Sequence, residues 1–168
     1  MTRFGNINQK ILKQTDTLTT IKTIPWFLEL SNTSLTSLSD ISEICFLTPG
    51  DVIFSEGEQH AYLYIILYGK VQLESIVPGH GVMPVFTAES LDVIGWSSLT
   101  PVVRQKTSTA RVIESAKLLR FQAEKLIALC ESDCELGFII MRRLANIVAT
   151  RYLTYRIHLL EKFSNCSE

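Results

Sequence analysis

The 168-residue chain is 46% hydrophobic and 20% charged, which describes a packed globular fold and excludes the polar, charge-rich regime of disorder. Sixteen basic against seventeen acidic residues leave a net charge of -1, so the broad positive footprint of a nucleic-acid-coating protein is missing. No stretch reaches the length of a membrane span and residues 1–23 lack the apolar run of a secretory signal, so a cytoplasmic location is expected.

Residues 1–24 hold six threonines and few large apolar side chains beyond Ile11, Leu12 and Ile21, and they read as an N-terminal arm or weak leading helix. From Pro25 the pattern changes. Trp26, Phe27, Leu30, Leu35, Leu38, Ile41 and Ile44 recur every few residues, which predicts one or two short helices. Between Phe46 and Phe121 short β-branched and aromatic segments alternate with the turn signals PG, EG, YG, PGHG and IG. Evenly spaced signals of this kind predict an antiparallel barrel or roll, so residues 25–132 are expected to form a β-roll with flanking short helices.

Residues 133–168 are expected to be a long C-terminal helix and tail. Ser132 and Asp133 offer N-caps, and Cys134 to Phe163 contains no proline and a single glycine, Gly137. Within it Leu136, Ile140, Leu144, Val148, Tyr152, Tyr155, Leu159 and Phe163 form an apolar stripe at helical spacing. A helix of about 45 Å at 1.5 Å per residue is longer than the core of so small a domain requires. A homodimer with Leu144, Val148, Tyr152, Tyr155 and Leu159 at its seam is therefore expected. Arg142, Arg143, Arg151, Arg156 and Lys162 read as the solvated side of that helix.

The four cysteines, Cys45, Cys130, Cys134 and Cys166, are too unevenly spaced for a disulfide scaffold. Cys130 and Cys134 lie one helical turn apart but lack neighbouring ligands, so no metal is expected. His60, His80 and His158 are isolated, and no nucleophile–base, Walker or dinucleotide motif occurs, so neither an enzyme nor a cofactor is expected. Glu56, beside Gly57, reads as a solvated or turn-bonding carboxylate.

Three segments in order, PGDVIFSEGE at 49–58, YLYIILYGKVQLES at 62–75 and DVIGWSSLTPVVRQKTSTARV at 92–112, resemble the cyclic-nucleotide-binding β-roll of the Crp/Fnr family. The resemblance implies an α+β fold, a roll flanked by N-terminal helices and a long C-terminal helix, and a sensor or regulatory role. It also places a phosphate-binding cassette at the third segment, where the family has a Gly-Glu pair and, eleven residues after the glycine, an Arg-Ser pair. Here Gly95 keeps the first place, but Trp96 stands where the ribose-binding Glu would be, and an indole cannot accept a hydrogen bond. Lys106 and Thr107 stand where the arginine and serine grip the phosphate, and lysine lacks the planar fork. Arg104 is a second candidate cation, and Ile147 and Val148 fall where the family's adenine contacts would be. The chain stops where transcriptional members continue into a helix-turn-helix, so direct DNA reading is not expected.

The pocket implied by the resemblance comprises Gly95, Trp96, Ser97, Ser98, Arg104, Lys106, Thr107, Ser108, Ile147 and Val148. In one reading it is remodelled for another small-molecule or nucleotide-like ligand, with Trp96 as a stacking platform and Lys106 as an anion anchor. In another it has collapsed, with Trp96 as core and Lys106 in water, leaving a module that acts through an unknown protein partner. A genuine cyclic AMP or cyclic GMP receptor with a divergent cassette is the third.

Overall fold

The computed structural model describes residues 14–59, 61–100 and 105–165, with the side chains of 14–16 and 162–165 outside that description. His60, Arg104 and Cys166, and the Phe163 side chain, therefore lie outside the described residues. In chain order come helix α1 (Gln14–Thr23), a 3₁₀ turn (Pro25–Phe27), α2 (Asn32–Asp40), strands β1 (Ser42–Leu47), β2 (Val52–Phe54), β3 (Tyr62–Val77), β4 (Gly81–Ala88) and β5 (Val93–Ile94). A second 3₁₀ turn (Trp96–Leu99), β6 (Thr109–Gln122), α3 (Ala123–Ser132) and α4 (Cys134–Asn165) complete it. The expected roll with flanking helices is the fold observed.

The strands make one six-stranded antiparallel sheet along the path β1-β6-β3-β4, with β2 added to β6 and β5 to β3. The start of β3, Leu63-Tyr64-Ile65-Ile66, is buried on both faces. Strand periodicity then divides it: Leu63 and Ile65 join Leu119 and Phe121 beneath the helices, whereas Tyr64 and Ile66 join Leu118, Phe54 and Val71 inside the roll. That two-sided burial explains a run of apolar residues without alternation.

Packing begins earlier than the sequence implied. Ile21 at the end of α1 and Ile24 just beyond it are fully buried beside Leu38 and Phe27, because their spacing of three places both on the face that meets α2 and β1. The arm thus contributes to the core from α1 onward.

Asp133 starts α4. One carboxylate oxygen accepts the backbone N–H of Leu136 at 3.1 Å and the other accepts the Ser34 hydroxyl at 2.7 Å, so the cap also ties α4 to α2. These donors hold its carboxyl below the usual range, the Leu136 N–H foremost. Gly137 lets α4 approach α3 closely, since a Cβ there would lie 2.5 Å from the carbonyl oxygen of Cys130. Leu136, Ile139, Ile140 and Leu144 are buried against the roll, at about 1.5–3 kcal/mol each. Beyond Arg151 the helix projects, and Tyr152, Leu153, Ile157, Leu159 and Leu160 are exposed.

Where β3 crosses β6 the register shifts between Ile66 and Val71, and Gly69 sits there at φ +87°. A Cβ on Gly69 would stand 2.3 Å from the carbonyl oxygen of Ser115 and 2.7 Å from Cα of Ala116, whereas Gly57, at φ +80°, faces open space. Gly69→Ala is expected to cost about 2–5 kcal/mol, from backbone strain plus overpacking. Gly57→Ala should cost only the strain, about 1–2 kcal/mol, and urea denaturation of both variants measures the difference.

Candidate functional site

The site forms where β2, β5 and the approach to β6 converge beneath α4. Gly95 at φ +76° turns the chain from β5 into the second 3₁₀ turn; a Cβ there would lie 2.6 Å from the carbonyl oxygen of Tyr62, so the position accepts only glycine without rearrangement. Opposite it, Lys106 is fixed through its backbone. Its N–H donates to the carbonyl of Glu58 and its own carbonyl accepts the N–H of Gly57, both at 2.9 Å. The turn at 55–58 that holds it is itself closed by Glu58, whose carboxylate accepts the Ser55 N–H at 2.9 Å.

That anchoring directs the Lys106 side chain inward, where it is 3% exposed. Its ammonium donates to the carbonyl of Gly95 at 3.1 Å and to the hydroxyl of Ser97 at 3.2 Å, and lies 5.2 Å from the centre of the Phe54 ring. No carboxylate faces it among the described residues. Burial therefore dominates and pulls its pKa from 10.5 down to about 8. The reading that sent Lys106 into water is corrected.

A second cation closes the site. Arg151 of α4 is 7% exposed, donates to the carbonyl of Val93 at 3.1 Å, and stacks with its guanidinium carbon 3.5 Å from the centre of the Phe86 ring. Burial lowers its pKa, opposed by the charge of Asp92 and by the Tyr155 hydroxyl. Lys106, Arg151, Tyr155, Trp96, Ser97 and Ser108 border a cavity of about 50 Å³. Trp96 is half-buried: it packs against the larger core and also lines this cavity, so it is neither pure core nor an open platform. Ser108 shares a 3.0 Å hydrogen bond with Ser75, Ser98 turns its hydroxyl back to the Gly95 carbonyl, and Thr107 is exposed at the rim.

Ile147 and Val148 do not reach the cavity. Ile147 is half-buried against the larger core, and Val148 lines a separate apolar notch with Met141 and Tyr152. The residues of α4 that line the cavity lie one and two turns further on, at Arg151 and Tyr155. Leu144, expected in a dimer seam, is buried within its own domain, and Tyr155 borders the cavity while remaining 40% exposed. Arg151 was missed because it was grouped with the solvated arginines. Arg142 and Arg143 do lie outside, donating to Glu29 at 2.6 and 2.7 Å, but Leu144, Val148, Arg151 and Tyr155 follow one another at four, three and four residues. An arginine on the apolar stripe was the available signal.

A larger cavity lies elsewhere. A groove of about 1060 Å³ runs between the second 3₁₀ turn, α3 and the start of α4, and Cys130 and Cys134 both border it. Burial raises the Cys130 thiol to about 11, away from metal-ligand or nucleophile chemistry. Among the described residues no three His, Cys, Asp or Glu side chains converge. The Glu56 carboxylate is neither free in solvent nor bonded within its own turn: it accepts the N–H of Ile76 on β3 at 2.9 Å. No helix among the described residues is long and apolar enough to cross a membrane.

Residues 44–133 match the family model of the cyclic nucleotide-binding domain. None of the curated protein sequences matches the chain. Among solved structures, a cyclic nucleotide-binding domain from Methylobacillus flagellatus superposes with a TM-score of 0.77 at 18% identity, covering 92% of this chain and 89% of that one. A protein from Geobacter metallireducens, described as a candidate cyclic nucleotide-binding protein, gives 0.68 at 25% identity over 79% and 95%. The regulatory subunit of a cAMP-independent protein kinase A from Trypanosoma brucei gives 0.68 at 16% identity over 88% of this chain and 51% of that one.

The buried ammonium predicts a pH signature. With a folded pKa of about 8 against 10.5, the unfolded chain binds more protons between those values, so stability rises with pH across that window, by a ceiling of about 3 kcal/mol. Cys45 and Cys130, raised from 9.0 to about 11, oppose this above pH 9, because there the unfolded chain releases protons first. Urea denaturation of wild type and Lys106→Met from pH 7 to 10.5 isolates the lysine: the wild type should gain stability relative to the variant as pH rises.

Proposed function

The chain belongs to the cyclic nucleotide-binding domain family, and from that premise we propose that it is a non-catalytic sensor or regulatory module whose ligand specificity has moved away from cyclic AMP and cyclic GMP. The observation that carries this reading is the Lys106 ammonium, which two internal acceptors already engage inside a cavity of about 50 Å³. Pockets that hold a drug-sized ligand occupy about 300–1,000 Å³. Trp96 removes the ribose acceptor that the resemblance implies, and Arg151 and Tyr155 stand over the cassette from α4. The likeness to the Trypanosoma brucei subunit supports the reading, since the protein so described carries regulation on this fold independently of cyclic AMP.

Each missing buried hydrogen-bond partner costs about 1–3 kcal/mol, so loss of the ribose and phosphate contacts together should weaken cyclic nucleotides to about millimolar dissociation constants or worse. Titration calorimetry with cyclic AMP and cyclic GMP checks this. Binding tighter than about 10 micromolar would restore the receptor reading.

The module acts as a homodimer through the projecting half of α4. The support is that Tyr152 and Leu159 of the expected seam are 64% and 55% exposed, together with Leu153, Ile157 and Leu160 on the adjoining faces. Light scattering should give twice the monomer mass at micromolar concentration. Tyr152→Asp with Leu159→Asp should give folded monomer, because neither side chain belongs to the domain core; unchanged dimer would remove this seam.

A further inference from the structure

We propose that α4 pairs antiparallel with α4 of a second copy, so that the projecting end of each helix lies along the docked first turns of the other and covers the groove there. This inference rests on the dimer reading and names the surface that the projecting half meets. Its basis is a strip on α4 that the domain core does not use. From Cys134, steps of four and three residues in alternation reach Phe138, Met141 and Ala145 on the docked half, then Val148, Tyr152, Tyr155 and Leu159. Val148 is half-buried and the other seven are exposed, whereas Leu136, Ile140 and Leu144 turn another face into the core. Such alternation is the 3.5-residue repeat of a coiled coil, and a strip of about 37 Å at 1.5 Å per residue calls for a helix of equal length beside it. The other α-helices among the described residues have nine or ten residues, so the helix in this sequence that meets the requirement is α4 of a second copy.

The space beside the strip is shaped to receive it. Cys134, Phe138 and Met141 border the groove of about 1060 Å³, and Met141, Ala145, Val148 and Tyr152 border the apolar notch. Thr100 and Met141 belong to both, so one channel follows the strip. In the antiparallel pair the two-fold axis falls between Ala145 and Val148, where small side chains let the helices approach most closely. Met141 then meets the partner's Tyr152, Phe138 the partner's Tyr155 and Cys134 the partner's Leu159. The apolar end of one helix thereby occupies the groove of the other copy.

Charge sets the direction. The positions flanking the strip include Glu135 and Arg156, both exposed. Antiparallel pairing brings Glu135 to the partner's Arg156 at each end of the interface, and Glu124 and Glu131 on the groove wall add negative charge there. Arg142 faces the partner's Ala149 and Gly137 the partner's His158, while Leu144 and Arg151 are turned into their own domain, so no like charges meet. Parallel pairing instead directs Arg156 toward the partner's Arg151, and the position opposite Glu135 then falls before α4 begins.

The full chain carrying Cys166→Ser and Leu159→Cys is oxidised with copper phenanthroline at micromolar concentration, and the links are mapped by mass spectrometry. A link between Cys134 and position 159 of the other copy is expected, since the two lie about 37 Å apart within one helix, and adding Cys134→Ser should abolish it. Dimer affinity is followed by sedimentation. Glu135→Arg or Arg156→Glu alone should weaken the dimer about 10-fold, and the two together should restore it, because the pairs then only exchange signs. Phe138→Asp, at a side chain exposed on the docked half, should give monomer that is folded by circular dichroism, whereas a seam confined to the projecting half would be unaffected. A dimer that links position 159 to position 159 and keeps the link with Cys134→Ser, or a charge exchange that fails to restore affinity, overturns the inference and leaves the dimer reading standing. A wild-type chain that stays monomeric at micromolar concentration overturns both.

Discussion

Every strand pairing among the described residues includes β3 or β6, and the two pair with each other from Tyr62–Gln122 to Glu74–Thr109. This single long ladder fixes the positions of the other strands. The core on its helix side collects α1, α2, α3, the first turns of α4 and Val93 at the start of β5, and the core inside the roll collects β2 and Ile94 at the end of β5. Because strand side chains alternate, one register serves both cores, and a slip by one residue would exchange them. Gly69 permits the bend at which the ladder passes from one region to the other. The cassette inherits its geometry from the same ladder: Tyr64 pairs with Ile94 on one side and Arg120 on the other, and Gly95 follows directly.

On that frame the protein buries two cations where a packed roll would ordinarily place apolar side chains. An isolated ammonium or guanidinium in such a place carries a desolvation cost of several kcal/mol. The fold offsets it with carbonyl oxygens, the Ser97 and Tyr155 hydroxyls, the charge of Asp92 and the faces of Phe54 and Phe86. By contrast, several cations outside the site have carboxylate partners: Arg120 pairs with Glu43, Arg111 with Glu74, and Lys70 with Glu89 and Glu114. Two cations buried together beside one small cavity mark a site shaped for something other than stability.

How much of this could be read from residues alone follows from which interactions are local. Turn glycines, apolar runs and the proline-free C-terminal segment report local backbone preference, so the roll and α4 were legible, and Gly95 fell where its left-handed turn required it. The direction of Lys106 was not legible, because it depends on hydrogen bonds to Gly57 and Glu58, nearly fifty residues away. Arg151 was hidden by its type: an arginine reads as solvated until its position on the apolar stripe outweighs its charge. Leu144 shows the converse. It lies on the same stripe as Tyr152 and Leu159, and only the depth of the roll decides that the stripe passes from core to surface between Leu144 and Tyr152.

The same transition gives the site its reach. Upstream of it α4 is held by the Asp133 cap, by close contact at Gly137, by buried leucine and isoleucine side chains, and by Glu29 bridging Arg142 and Arg143. Downstream, among the described residues, no hydrophobic side chain of the helix is buried to comparable depth. Arg151 is the last buried side chain of the helix among the described residues, and its partners are the carbonyl of Val93 that opens β5, the ring of Phe86 on β4, the Tyr155 hydroxyl and the charge of Asp92. A change in what Arg151 contacts therefore acts at the boundary between a fixed segment and a projecting one, where a small shift is amplified along the remaining length of the helix.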